Sequence, residues 1–239
     1  LLRKETDMKA IRALIWIVMM LAAIGSVALL ALGNPLWKWG AAIIALCFGV
    51  AAIGKALYLK LDTLRGKFHL ILGTGALFFC AAIVVGLVST TPWQIFGLHY
   101  LARFIFIVSV ALMFVGLMKQ GYTLSAGDWV VVLVLFAALA ATGLWFFYTL
   151  YAGATVLMSI LVYMSLFIML EVLGVVQVYL GSNLGIRWTG GALSVLCVTL
   201  GDMCMAYYAT SGLPVWETVQ YLGWSGVSFI MGIISLLWD

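Results

Sequence analysis

The chain has 239 residues, of which 66% are hydrophobic and only 8% charged, with a formal net charge of +4. Its mean hydropathy is +1.23, whereas soluble domains are about half apolar and about a quarter charged. A water-soluble globule, and with it a separate soluble catalytic domain, is excluded. The modest positive charge can be met by anionic lipid headgroups and calls for no nucleic-acid partner.

About 20 apolar residues, rising 1.5 Å each, cross a hydrocarbon core of about 30 Å. Dividing the chain at its polar and Pro/Gly breaks gives such stretches at 12–32, 39–59, 68–89, 98–118, 128–150, 154–180, 188–209 and 217–238. The expected fold is all-α: a polytopic integral membrane protein of about eight transmembrane helices, forming one transmembrane domain over residues 1–239. The breaks carry turn and cap chemistry: Gly33-Asn34-Pro35, Ser89-Thr90-Thr91-Pro92, Ser125-Ala126-Gly127-Asp128, Gly181-Ser182-Asn183 and Ser211-Gly212-Leu213-Pro214. Continuous apolar runs such as Val130 to Ala141 do not alternate as the strands of a closed barrel must. Helices remain as the spanning element.

Charge asymmetry sets the expected orientation. With the N-terminus in the cytoplasm, Arg3, Lys4, Lys9, Arg12, Lys60, Arg65, Lys67, Lys119 and Arg187 fall on the inner side and only Lys38 outside. An even number of spans returns the C-terminus to the cytoplasm, so the chain is expected as a multi-pass protein of the cell membrane. Trp37, Trp39, Trp93, Trp145, Tyr148, Tyr151, Tyr208 and Trp216 gather at the outer ends, with Trp129, Trp188 and Trp238 at the inner ones. The first apolar stretch lacks a small-residue cleavage site and reads as a span, not a removable signal. The chain begins with Leu1, which leaves processing or a fragment as readings.

An internal repeat is one reading of the chain order. A shift of 122 residues lays Arg65 over Arg187 and Pro92 over Pro214, and a shift of 121 aligns His99-Tyr100-Leu101 with Gln220-Tyr221-Leu222. The halves would be 10–119 and 127–238, four spans each, related by a parallel pseudo-twofold axis. Chance agreement between apolar helices is the other reading.

Chemistry is sparse. Cys47, Cys80, Cys197 and Cys204 have no CxxC spacing and read as small packing residues. His69 and His99 fall at opposite ends of the bilayer, which disfavours a bis-histidine haem. HExxH, GxxxxGK[ST] and GxSxG are absent from the sequence. Gly73-Thr74-Gly75 lacks the preceding strand of a dinucleotide fingerprint and reads as a close-packing site. No cofactor is expected, and the chain is expected not to be an enzyme.

Ionisable residues within the spans are therefore the candidate sites. Arg103 lies about 8 Å below the outer surface and Asp202 about 21 Å from the inner one, by helical rise. These depths coincide in a core of about 30 Å, so the two can pair. That pair is either a lock between helices or part of a ligand or proton site. Glu171 has no cationic neighbour at its own depth and is expected protonated or facing a wet cavity. Lys55, about a turn from the inner surface, is expected to snorkel.

Gly201-Asp202, Ala206-Tyr207-Tyr208, Gly212 and Trp224, followed by an apolar helix, resemble the end of the multi-span membrane sensor modules that precede histidine kinase or diguanylate cyclase domains. The resemblance covers about 40 residues and implies that Asp202 and Tyr207 are its site positions. It departs where an acidic residue before the last tryptophan is replaced by Gln220 or Tyr221, and no output domain follows within the sequence.

Three functions stay open on the sequence. The chain is a non-catalytic sensory input module, an accessory subunit of a larger membrane complex, or, less favoured, a small-solute or proton-coupled transporter. The first two imply protein partners or an oligomer within the membrane, besides lipid. The third needs a polar midplane cavity, for which Glu171, Asp202, Thr199 and Ser159 are nearly the whole supply.

Overall fold

The computed structural model describes the backbone of residues 2–89, 92–150, 156–179 and 183–237. Within them the chain forms eight α-helices: α1 (Leu2–Ala31), α2 (Trp39–Tyr58), α3 (Leu64–Val88), α4 (Pro92–Lys119), α5 (Ala126–Leu150), α6 (Val156–Tyr179), α7 (Asn183–Ser211) and α8 (Pro214–Leu236). A short 3-10 helix, Pro35–Lys38, precedes α2, and no strand occurs among the described residues. Among the described residues six stretches are long and apolar enough to cross a membrane: Lys9–Ala31, Pro35–Tyr58, Leu64–Val88, Phe96–Lys119, Ser159–Val176 and Pro214–Leu236. Helices α5 and α7 contribute the shorter apolar stretches Ala126–Ala138 and Leu193–Met205. The side chains of Arg3, Lys4, Trp93, Tyr148, Tyr151, Gln177, Tyr179, Arg187, Trp188 and Trp238 lie outside the described residues.

The turns show why the helices stop where they do. Gly33 takes the left-handed conformation (φ 66°) after α1, and the Asn34 side chain accepts from Leu36 N–H at 3.0 Å, with Pro35 at the first position of the 3-10 helix. Thr63 caps α3 by accepting from Gly66 N–H at 2.9 Å. Ser125 and Asp128 form a reciprocal box at the start of α5. Ser125 N–H donates to Asp128 Oδ2 at 2.9 Å, and Asp128 N–H to Ser125 Oγ at 3.2 Å. Two helices start well before the apolar runs within them. Polar residues open α1 without a breaker, and Pro92 opens α4 because its fixed φ and missing N–H suit a first turn.

The chain packs as two compact units, Leu1–Ala102 with Ser228–Asp239, and Arg103–Val227. The partition passes through α4 and α8 and not through the turn after Lys119. In the first unit α2 is the central helix, packed on α1 and α3. Its buried residues are mostly small, including Gly40, Ala41, Ala42, Ala45, Gly49, Ala51, Ala52 and Ala56. In a membrane, helices associate by van der Waals contact and not by escape from water, so small residues that let backbones approach set the interface. A Cβ on Gly73 would lie 2.9 Å from Gly49 O and 2.7 Å from Ile53 Cγ1. Gly73 of the Gly73-Thr74-Gly75 run thus belongs to a helix crossing. Met19, Ile44, Cys47, Ala51 and Leu236 form a core cluster, against which Phe229 and Ile233 also pack.

In the second unit α6 packs on α5 and α7. There, a Cβ on Gly223 would lie 2.7 Å from Cys197 O and 3.1 Å from Gly201 Cα, so α7 and α8 touch backbone to backbone.

Two expectations are corrected. Trp37 is buried in the 3-10 turn and is not an exposed interfacial anchor. Lys55 does not snorkel: it is 5% exposed, and its Nζ donates to Leu237 O at 2.6 Å and Ile234 O at 3.1 Å. The carbonyl end of a neighbouring helix is within reach, so the ammonium takes those oxygens instead of climbing to headgroups.

Gly73→Val is expected to destabilise the first unit by about 1–3 kcal/mol through overpacking. Gly25, which has nothing within 4 Å of a built Cβ, should accept alanine with a gain of about 0.5–1 kcal/mol. Thermal unfolding in detergent, followed by tryptophan fluorescence, would order the midpoints Gly73→Val, wild type, Gly25→Ala.

Candidate functional site

The second unit holds a buried polar centre built around Asp202. Arg103 on α4, Ser165 on α6, Asp202 on α7 and Trp224 on α8 are all buried. The guanidinium approaches the carboxylate side-on. Arg103 Nε donates to Oδ2 at 3.1 Å, and Nη2 donates to Oδ1 at 2.8 Å and Oδ2 at 3.0 Å. Ser165 Oγ donates to Oδ2 at 2.7 Å, and Trp224 Nε1 donates to Oδ1 at 3.0 Å. A carboxylate offers about four lone-pair sites, and each oxygen of Asp202 has a charged and a neutral donor. A buried carboxylate is tolerable when its partner is opposite in charge and its remaining lone pairs are satisfied, and Asp202 meets both conditions.

Local sequence explains how the donors reach. A Cβ on Gly201 would lie 2.7 Å from Trp224 Cδ1 and 3.1 Å from Gln220 O. Glycine at 201 and at 223 therefore removes the volume that would hold α8 away, and the indole N–H comes into line with Oδ1. Tyr221 packs edge-on against Trp224 at 5.4 Å between ring centroids and orients it further. A buried indole N–H needs an acceptor, and this one finds it on the neighbouring helix.

Of the residues singled out by sequence, the structure brings Arg103 and Asp202 together and leaves Glu171 apart. Glu171 lies on α6 about 9 Å by helical rise beyond Ser165, and its Oε2 is buried with no hydrogen-bond partner among the described residues. Tyr207 packs edge-on against Trp216 at 4.7 Å and does not donate to Asp202 in the bonds described. Thr199 Oγ1 donates back to Val195 O at 2.8 Å, so its hydroxyl is used within α7.

Ser165 and the hydrogen-bonding role of Trp224 were missed by sequence reasoning. Serine is common in membrane helices and carries no depth mark of its own. The signal for Trp224 was available in the need of a mid-helix indole for an acceptor, together with the paired glycines. His99 packs edge-on against Phe79, about ten residues and 15 Å along α3 from His69. Among the described residues no group of three or more His, Cys, Asp or Glu is placed to hold a metal ion.

Fold and centre together define an all-helical, membrane-embedded protein in which a buried arginine and a buried aspartate are bonded to each other. No protein-family model, curated protein or solved structure matches the chain.

Removing either ion from the pair should cost about 3–5 kcal/mol, because the other is left buried and uncompensated. Asp202→Asn and Arg103→Gln are each expected to lower the unfolding midpoint strongly. Arg103→Met combined with Asp202→Leu should recover much of that loss. Trp224→Phe, which keeps the ring and deletes one donor, should cost about 1–3 kcal/mol. A double-mutant cycle on the detergent-solubilised protein measures all three.

Proposed function

We propose that this chain is a non-catalytic sensory input module of the cell membrane, which carries a ligand or membrane state as a change in helix packing. The observation that carries the proposal is the convergence of α4, α6, α7 and α8 on one carboxylate, with every acceptor position occupied from within. The Asp202 carboxylate has no lone pair left to accept from a solute, which weighs against the transporter reading. Such a centre is suited to registering relative displacement, since no one of these helices can shift without lengthening a charge-assisted or buried hydrogen bond. Packed elements of this kind move between discrete arrangements and not continuously, which is what a signal requires. The resemblance of residues 201–238 to the sensor modules that precede histidine kinase or diguanylate cyclase domains points the same way, and its Asp202 and Trp224 are bonded to each other.

The proposed topology has eight spans with both termini in the cytoplasm. It is supported by the clustering of lysine and arginine on one set of turns. It is also supported by Arg12 Nη2, which donates to Leu236 O at 2.6 Å and so sets the start of the first apolar helix beside the end of the last. A four-plus-four duplication is compatible with that parity. Single cysteines at Asp62 and Thr123, in a background free of the four native cysteines, should react with an impermeant maleimide only after the cytoplasmic face is opened. Cysteines at Leu36 and Leu213 should react from outside. Labelling of Leu36 and Asp62 from one face would refute the topology.

The function itself is tested by isolating the protein from its native membrane and weighing what comes with it. A longer parent chain, or a bound kinase or cyclase, is the expected result. A fixed complex of other membrane subunits with no signalling enzyme would establish the accessory-subunit reading instead.

A further inference from the structure

A second set of cations, in the first unit, is bonded to backbone carbonyls. Lys55, in the last turn of α2, donates to Ile234 O and Leu237 O. Arg12, on α1, donates to Leu236 O. These oxygens belong to the end of α8, which runs to Leu236. The last carbonyls of a helix have no amide of their own helix to accept from, and they carry the negative end of its dipole. Two cations from two other helices therefore meet one helix terminus.

We propose that Lys55 and Arg12 form a cationic latch on the carbonyl end of α8, which holds that end in place and is released through Arg12. The two cations differ in the way a latch needs. Lys55 is 5% exposed and donates to two carbonyls, so it forms the fixed part. Arg12 is half-buried, so water or a headgroup oxygen can take its guanidinium while Leu236 O is rehydrated, and it forms the releasable part. Beneath the latch the helices meet through apolar contacts: Trp16 and Phe229 as tilted rings 6.3 Å apart, and Gly232 against the thioether of Met19. Apolar contacts of this kind fix the distance between helices, whereas the directional bonds fix how the helix end is turned. The latch stands on this geometry; that its release carries a signal rests on the sensory reading.

The test uses a nitroxide at Leu237→Cys, an exposed side chain, with a second label at Leu213→Cys before the start of α8, in the full chain reconstituted in nanodiscs. Methionine keeps the length of the lysine stem and removes the charge. In Lys55→Met/Arg12→Met the label at 237 is expected to become more mobile, with about a twofold fall in rotational correlation time, as fraying of a released helix end implies, while the label at 213 is unchanged. Arg12→Lys should keep the wild-type spectrum. If the double variant does not fold, Arg12→Met alone, at a half-exposed position, provides the same readout. An unchanged spectrum at 237, or equal loosening at 213 and 237, overturns the latch. Neither result bears on whether a kinase or cyclase accompanies the protein, so the two proposals fail separately.

Discussion

A carboxylate taken out of water must find its hydrogen-bond donors inside the protein, and Asp202 finds them on three other helices. Water would supply the same bonds at almost no cost in order. Here each bond requires a helix to hold a given depth and rotation: α4 for the guanidinium of Arg103, α6 for the hydroxyl of Ser165, α8 for the indole of Trp224. The second unit is thereby specified by a polar requirement more than by its apolar contacts. Lipid tails are as apolar as leucine and provide little reason for one apolar arrangement over another. An ion pair is poor evidence for net stability, but it is strong evidence for a particular arrangement, since misplacing either partner leaves a charge exposed to hydrocarbon.

That requirement can be met only because the backbones come close enough. Gly201 and Gly223 let α7 and α8 touch, and without them the indole would stand away from the carboxylate by the width of a side chain. The first unit uses the same device at Gly49 and Gly73 with no polar group in the contact. Small residues thus set the approach in both units, and polar groups add orientation in one of them. In the first unit orientation comes instead from cations bonded to carbonyls at the end of α8.

The apolar helices were legible because bilayer thickness translates directly into a number of residues, and the turns because glycine, proline and capping side chains mark them. The meeting of Arg103 with Asp202 could be read from helical rise alone, since charges confined to a bilayer have few depths at which to match. The rest was hidden for definite reasons. Ser165 contributes a donor that looks like any packing serine until the rotation of α6 is known. Lys55 was read as a snorkelling residue because sequence gives its depth and not its neighbours, and a carbonyl terminus on another helix leaves no sequence mark. Trp37 looked interfacial by position, yet the 3-10 turn that Asn34 and Pro35 start turns its ring inward. Glu171 was set apart by its lack of a cationic neighbour at its own depth, and the structure places it about 9 Å along α6 from Ser165, the residue of that helix that bonds to Asp202.

Helix α8 is where these strands meet. It carries Trp224, which bonds to the carboxylate, and about three turns further on the carbonyls that Lys55 and Arg12 hold. Its attachments therefore differ in kind. At Trp224 it is a neutral donor to a charge that has four other bonds, so losing it weakens the centre without leaving an ion unpaired. At its end it is the acceptor, and losing the contact takes two hydrogen bonds from a buried ammonium. The energetic asymmetry implies that displacement is easier to begin at Trp224 than at Lys55.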